Sequence, residues 1–160
     1  MKATFDPSMH GMAEAIPTFS WHNGRMSTPA DGLARLQAAA ESDELDELCA
    51  RHRVRILTVF GSAARGEPDA RDLDIGVMFE PDANPDYMAI IGDLMELTDA
   101  NVDFVHLNHG GPVIRERALV GSVPLYESEP YALARAQVAA VLERIDTRWM
   151  RQLDLELMAG

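Results

Sequence analysis

The sequence predicts an α/β (α+β) protein with a small mixed β-sheet and helices packed on it. Residues 54–60 and 73–79 are two apolar runs, and the second alternates its side chains as half-buried strands do. Other stretches repeat apolar residues every three or four positions, which is the spacing of an amphipathic helix. Of the 160 residues, 47% are hydrophobic and 25% charged, ordinary globular proportions. We therefore expect one domain with its own core.

The first 27 residues are predicted to form a poorly ordered extension in front of a single domain that spans 28–160. The extension has neither helical nor alternating periodicity, and four helix breakers interrupt it: Pro7, Gly11, Pro17 and Gly24. Polar residues divide its apolar residues, so we expect no signal peptide and no membrane span. The extension precedes a second potential start at Met26. The alternative is that its large apolar residues dock on the domain.

A first helix is predicted to begin at Pro29. Thr28 suits the N-cap position, and Asp31 lies near the positive end of the helix dipole. Ser42 is expected to cap a second helix over 43–52, which leads directly into the first strand. An acidic run spans the junction of these helices: Glu41, Asp43, Glu44, Asp46 and Glu47. We interpret this run as a solvated face; a docking surface for a basic partner is the alternative.

The strand over 54–60 ends at Gly61-Ser62, a turn whose chemistry suits phosphate. Glycine lets the backbone approach a ligand, and the Ser62 hydroxyl and the N–H groups of a following helical turn suit phosphate oxygens. If residues 62–65 form one helical turn, Arg65 reaches the same region, and arginine binds phosphate in a bidentate manner. The sequence therefore predicts a phosphate-facing turn.

Two aspartates open the next strand. Every second side chain of a strand points to the same face, so Asp72 and Asp74 share one face, and the apolar residues occupy the other: Leu73, Ile75, Val77 and Phe79. Neighbouring carboxylates repel each other, and divalent cations or protonation of one acid offset that repulsion. We therefore expect a metal-ready acid pair beside the phosphate-facing turn.

A helix through about residue 99 and a strand over 102–107 are predicted next. One stripe of this helix is expected to face the sheet, with its methionines in the core: Met88, Ile91, Leu94, Met95 and Thr98. The strand contributes Asp103, the only acid within it. Asp103 joins Asp72 and Asp74 if the three strands are neighbours, which a helical connection of this length permits.

The C-terminal part is predicted as a short helix after Gly111, an edge strand over 123–126 and one long helix from Pro130. Helical spacing predicts that one stripe of the long helix packs on the core: Ala134, Val138, Val141, Leu142, Ile145 and Trp149. Its apolar end either extends as a partner surface or folds back onto the N-terminal segment. We interpret His106 and His109 as surface or turn residues rather than metal ligands.

Charge and cysteine content narrow the class of protein. The chain has 14 basic and 26 acidic residues, a net charge of -12, which disfavours nonspecific binding to nucleic acid or anionic membranes and favours a cationic partner or a cation-bound substrate. The lone Cys49 excludes an internal disulfide framework. We therefore expect a cytoplasmic protein with neither a nucleic acid nor a membrane as partner.

One stretch is similar to a known family. Gly61-Ser62, nine intervening residues and Asp72-Leu73-Asp74-Ile75 resemble the signature of the polymerase-beta-type nucleotidyltransferases. The run Gly-Ser-Ala-Ala-Arg-Gly looks most like the minimal nucleotidyltransferase (MNT) family, which has a third acid on a later strand, here Asp103. The resemblance covers about residues 43–128 and implies a polymerase-beta-like fold. Arg71 departs from it, since the family usually has serine before the first aspartate.

The resemblance implies a two-metal transfer of a nucleotide. Asp72 and Asp74 would bridge two Mg²⁺ ions ~3.5 to 4 Å apart, and Asp103 would bind the ion that activates the acceptor hydroxyl. Gly61, Ser62 and Arg65 would hold the triphosphate of ATP. Magnesium is expected rather than zinc, because every candidate ligand is an oxygen.

The family resemblance also implies a biological role. The minimal family resembles antitoxins that are paired with HEPN-domain ribonuclease toxins and that transfer AMP from ATP to a toxin tyrosine. The leading hypothesis is therefore a protein adenylyltransferase antitoxin, with which the acidic surface and apolar C-terminal helix are consistent. The alternatives are an antitoxin that neutralises its partner by occlusion without transfer, and an adenylyltransferase of small hydroxylated compounds such as aminoglycosides.

Overall fold

The structure, a computed structural model, describes residues 26–159, apart from the side chain of Arg151. The predicted disorder of 1–27 concerns residues that lie almost entirely outside this range and stays a prediction. Of these residues, Met26 and Ser27 are described. Ser27 binds the domain, because its backbone N–H donates to the Asp99 carbonyl over 2.7 Å. Its hydroxyl donates to the Asp99 carboxylate over the same distance.

A four-stranded mixed sheet with the order β3-β2-β1-β4 forms the centre of the fold. β1 pairs antiparallel with both β2 and β4, whereas β2 and β3 are parallel. The strands are β1 (Val54–Phe60), β2 (Leu73–Phe79), β3 (Val102–His106) and β4 (Val123–Glu127). The predicted mixed sheet is confirmed, and the last strand lies at an edge as expected.

Helices cover both faces of the sheet. Three of them, α1 (Pro29–Glu41), α2 (Glu44–Arg51) and α4 (Tyr87–Thr98), pack on one face through a core that contains the odd-numbered side chains of β2. α5 (Pro112–Leu119) and α6 (Ala132–Ala159) pack on the other, where Ile56 and Phe60 are buried. The short α3 (Gly61–Ala64) connects β1 to the loop before β2. None of the helices within 26–159 is both long and apolar enough to cross a bilayer.

The first helix begins where the sequence predicts, but the second begins differently. Thr28 and Asp31 form a reciprocal capping box at the start of α1. Ser42, predicted as the cap of the second helix, is instead the C-cap of α1 and donates its hydroxyl to the Ala39 carbonyl. Asp43 occupies the N-cap of α2 in a left-handed conformation, with φ 64°. Its side chain makes no capping hydrogen bond. The start of α2 is therefore set by the left-handed turn at Asp43 rather than by a side-chain cap.

The predicted inward stripe of α4 is wrong in its methionines. Met88 is 79% exposed and Met95 37%, whereas Ile90 and Leu94 are fully buried. Leu94 and Thr98 are buried as predicted, and Ile90 rather than Ile91 completes the buried side. Two adjacent isoleucines allowed either alignment, and the sheet selects the one in which Ile90 points inward.

The predicted inward stripe of α6 is also wrong. Val138, Leu142 and Ile145 are 60%, 56% and 60% exposed, and Trp149 is 59% exposed. Alanines face the domain instead, because Ala132 and Ala140 are buried. Small side chains let α6 approach α5 closely, and ion pairs join Arg115 to Glu143 over 2.7 Å and Arg144 to Glu116 over 3.0 Å.

A buried threonine fixes α5 over the middle of the sheet. The fully buried Thr58 donates its hydroxyl to the Ala118 carbonyl over 2.6 Å. On the neighbouring strand, Gly76 leaves room for the same helix, since a Cβ there would lie 3.1 Å from the Ala118 Cβ. This packing brings the last turn of α5 beside the acidic end of β2.

Candidate active site

The structure brings the three predicted acids together at one end of the sheet. Asp74 and Asp103 are direct partners in the parallel register of β2 and β3, so their side chains leave the same face. Asp72 immediately precedes β2 and is half-buried. The shared face is the one covered by α5 and α6, because Gly76, two residues after Asp74, contacts Ala118.

The proximity of the acids affects the protonation of Asp74. Burial raises the pKa of this carboxyl most, and repulsion by Asp103 and Asp72 raises the pKa further. Two cations oppose this rise in the pKa, Arg117 first and then Arg65. A positive charge beside Asp74 would therefore relieve this repulsion and lower the pKa of its carboxyl.

Gly61 makes the close packing of the Gly-Ser turn on Asp74 possible. Its φ is +74°, a left-handed conformation that suits glycine. A Cβ built at this position would lie only 2.1 Å from the Asp74 Oδ2. The backbone of the turn therefore runs against the carboxylate, and any larger residue at position 61 would displace the Asp74 side chain.

A hollow of about 280 Å³ opens beside this turn. Its lining combines the predicted serine and two of the predicted acids with residues of the following loop: Ser62, Glu67, Asp69, Arg71, Asp72 and Asp74. Arg71, which departs from the family pattern, therefore adds a positive charge to this lining. The hollow lies between the Gly61-Ser62 turn and the acid pair, which the sequence analysis placed side by side; phosphate binding by the turn stays a prediction.

Arg65, predicted to bind phosphate, is engaged with a neighbour. Its Nε donates to the Glu67 carboxylate over 2.6 Å, and its side chain is 57% exposed. The charge of Arg65 still acts on Asp74. Arg65 therefore lies near the acids, with its guanidinium shared between them and Glu67.

Two residues of this region escaped the sequence analysis. Asn101 donates its side-chain amide to the Asp72 carboxylate, and its carbonyl accepts from the Leu73 N–H over 2.8 Å. Arg117, on the last turn of α5, is the cation that most lowers the pKa of Asp74. The position of Asn101, a polar residue directly before β3, was a signal that could have identified it. Arg117 had none, because the packing of α5 on the sheet determines its position.

The acids fit magnesium by chemistry. All three offer carboxylate oxygens, the ligands that Mg²⁺ prefers, and a cation would relieve the repulsion that raises the pKa of Asp74. Between residues 26 and 159, no three histidine, cysteine or acidic side chains are already arranged to hold a metal. Asn101 donates to only one oxygen of the Asp72 carboxylate, so Asp72 can keep this hydrogen bond while it binds a metal ion.

Another concavity, of about 740 Å³, lies on the other side of the sheet, between α2 and α4. It is lined by four acids, Glu44, Glu47, Asp93 and Glu96, together with Leu48, Arg51 and Leu97. The predicted solvated acidic face supplies two of these acids, and its five members are all exposed. The three predicted acids do not reach this groove, so it is separate from the candidate active site.

A family model described as polymerase beta, nucleotidyltransferase, matches residues 43–131. The chain belongs to this nucleotidyltransferase family. The resemblance predicted from the Gly-Ser turn and the acid pair is thereby confirmed, and the match includes the turn, the three acids, Asn101 and Arg117. No curated protein matches the chain.

Solved structures share the nucleotidyltransferase fold. A chain of a toxin–antitoxin complex with AMP-PNP is 17% identical, with a TM-score of 0.60 over 72% of this chain and 96% of that one. A chain of a tri-AMPylated HEPN toxin from Shewanella oneidensis in complex with an MNT antitoxin is 16% identical, with a TM-score of 0.58 over 78% and 99%. A protein provisionally described as a minimal nucleotidyltransferase is 38% identical over 58% and 95%, with a TM-score of 0.48.

Replacing Gly61 by alanine is expected to destabilise the nucleotidyltransferase domain by about 2 to 4 kcal/mol, because left-handed strain adds to a clash with Asp74. Urea unfolding measures the loss. Gly66→Ala is the matched control: Gly66 has φ +71° but nothing lies within 4 Å of its Cβ position, so about 1 kcal/mol is expected. Equal losses in the two variants would contradict the close approach.

Asp74→Asn is expected to stabilise the metal-free domain at neutral pH. A carboxyl with a raised pKa stabilises the fold while protonated and loses this contribution as the pH rises through the folded pKa, whereas asparagine does not titrate. The gain in free energy of unfolding over wild type should therefore be smallest below pH 3.8, the ordinary pKa of the carboxyl, and should grow toward neutral pH. It should reach roughly 0.5 to 1 kcal/mol after solvent screening. Thermal unfolding in chelator across this range measures it; a constant difference would contradict the repulsion.

Proposed function

We propose that this protein is a magnesium-dependent adenylyltransferase that transfers AMP from ATP to a tyrosine of a HEPN-domain toxin and thereby acts as its antitoxin. The observation that carries the proposal is the meeting of Asp74 and Asp103 on one face of parallel strands, with Asp72 and the Gly61-Ser62 turn beside them. Carboxylates beside a phosphate-facing turn are the arrangement that transfer of a nucleotide requires.

The acceptor is inferred from relatives of the same fold. One of the similar structures is a toxin–antitoxin complex with AMP-PNP, and another contains a tri-AMPylated HEPN toxin with an MNT antitoxin. These descriptions apply to those proteins. They support the proposal that the nucleotide used here is ATP and that the acceptor is a protein hydroxyl.

The residues of this chain would divide the work of the reaction. The tyrosine oxygen forms a bond to the α-phosphorus of ATP, the bond from that phosphorus to the bridging oxygen breaks, and pyrophosphate leaves. Asp103, the most exposed of the three acids, would accept the hydroxyl proton. The Ser62 hydroxyl and the neighbouring backbone would orient the triphosphate, since their hydrogen bonds need no reorganisation during the reaction.

Mg²⁺ held by Asp72, Asp74 and Asp103 would supply neutralisation of phosphate charge. Arg117 would add a protein cation on the same side, because its charge already acts on Asp74 and the described residues offer it no ion pair. Arg65 would contribute once Glu67 releases it. Magnesium dependence and all of these roles belong to the proposal.

A second candidate function is neutralisation of the partner by binding alone. It is favoured by one contact: Arg65 is held by Glu67. If this contact persisted with nucleotide present, the site would lack one cation. The protein would then act by occlusion, without transfer.

Incubation of this chain with ATP, Mg²⁺ and the HEPN-domain protein proposed as its toxin partner should add AMP to the HEPN-domain protein, as measured by intact mass. Asp74→Asn and Asp103→Asn should reduce the transfer rate by about 10³-fold or more, because each removes a carboxylate that would hold Mg²⁺ at the reacting phosphate. Asp69→Asn is the control, an acid that lines the same hollow outside the sheet, and should change the rate only a few-fold. Full neutralisation by an inactive Asp74→Asn would support occlusion instead.

Arg117→Ala is expected to slow AMP transfer by about 10- to 100-fold, mainly by raising KM for ATP, because it removes a cation beside the phosphates. It should also shift the acid side of the pH–rate profile upward, since Arg117 lowers the pKa of Asp74. Arg148→Ala, an exposed arginine of α6, is the control. An unchanged KM and profile would exclude Arg117 from the site.

A further inference from the structure

The longest helix carries an apolar surface that its own domain leaves open. Val138, Leu142, Ile145, Trp149 and Leu153 recur at three- and four-residue spacing and form what we call the α6 stripe. Their exposed fractions are 60%, 56%, 60%, 59% and 47%. Five large apolar side chains in one exposed row are unusual for a surface and typical of an interface.

The contacts of α6 with the domain hold the stripe in this outward orientation. Ala132 and Ala140 are buried against the domain, and Glu143 and Arg144 are bound by Arg115 and Glu116 of α5. Rotating the helix to bury the stripe would break both ion pairs and move small side chains out of a core that fits them. The stripe is therefore covered by something other than the rest of the described domain.

We propose that a second copy of this chain covers it, with two α6 helices packed antiparallel through their stripes. The order of side-chain sizes favours this occupant. The N-terminal half of the stripe has the smaller Val138 and Leu142, the C-terminal half has Trp149 and Leu153, and Ile145 is central. Antiparallel pairing sets Val138 against Leu153 and Leu142 against Trp149, with Ile145 against its own copy, whereas parallel pairing sets tryptophan against tryptophan.

The charges at the two ends of the stripe favour the same arrangement. Arg135 lies three residues before Val138, and Glu156 lies three residues after Leu153. Arg135 binds Glu129 of its own chain, and its guanidinium has further donors for a second carboxylate. An antiparallel pair brings Arg135 of one copy beside Glu156 of the other at both ends of the seam. A parallel pair would bring arginine to arginine and glutamate to glutamate, which is unfavourable.

A groove beside the stripe provides room for the partner's larger side chains. It has a volume of about 310 Å³ and is lined by Val120, Gln137, Val138, Val141 and Leu142. In the antiparallel pair the partner's C-terminal half passes over this groove. The isologous contact is closed, so it predicts a dimer and no larger assembly. It does not depend on the proposed transferase activity.

The oligomeric state of the full chain tests the proposal. Light scattering coupled to size-exclusion chromatography should give a mass near twice 17.6 kDa across a concentration series. Leu142→Glu combined with Ile145→Glu should halve that mass, with the helical circular dichroism kept. Val113→Glu is the matched control, an apolar residue of α5 that is 40% exposed, and should stay dimeric. A monomeric wild-type chain would overturn the proposal, whether residues 1–25 or another protein covers the stripe.

Disulfide cross-linking tests the direction of the pair. Under oxidation, a mixture of Val138→Cys and Leu153→Cys chains should form a mixed cross-linked dimer, and neither variant alone should form one. The native Cys49 is buried and gives no background. Cross-linking of Val138→Cys with itself would show a parallel pair and overturn the proposed arrangement.

Discussion

The packing of the Gly61 backbone against the Asp74 carboxylate is the constraint on which the candidate site depends. A side chain at position 61 would occupy the space of the Asp74 Oδ2, so the turn and the acid form one unit. That unit joins the end of β1 to the start of β2, and their pairing sets Phe60 opposite Asp74. The groups that we propose to bind phosphate and metal are thus fixed relative to each other by the β1–β2 pair itself.

The sheet then adds the remaining groups from more distant parts of the chain. The parallel β2–β3 pair contributes Asp103, and Asn101, just before β3, holds Asp72. Thr58 and Gly76 bring α5 close enough for Arg117 to act on Asp74. Two opposing sets of charges therefore act on Asp74: the neighbouring carboxylates raise the pKa of Asp74, and Arg117 and Arg65 lower it.

Residues whose positions follow from local periodicity could be predicted from the sequence. Alternation along β2 predicted that Asp74 and Ile75 lie on opposite faces of the sheet, and Thr28 as N-cap predicted where α1 begins. Prediction failed where two faces of a helix offered similar hydrophobicity, since Met88 and Val138 turn outward. In α6, close approach through alanines and ion pairs outweighed the burial of larger side chains. Interactions between distant segments, such as the effect of the Arg117 charge on Asp74, depend on packing that no local pattern encodes.

The parallel pairing of β2 with β3 has a consequence for the order of folding. A hairpin of β1 and β2 forms from neighbouring segments and already contains two acids, whereas β3 can join only after α4 has crossed the sheet. The full repulsion between carboxylates thus arises only when β3 joins β2, at which point the hydrophobic contacts of α4 are available to offset it. Chains in which β3 has not yet joined the sheet would lack the third carboxylate at this end of β2.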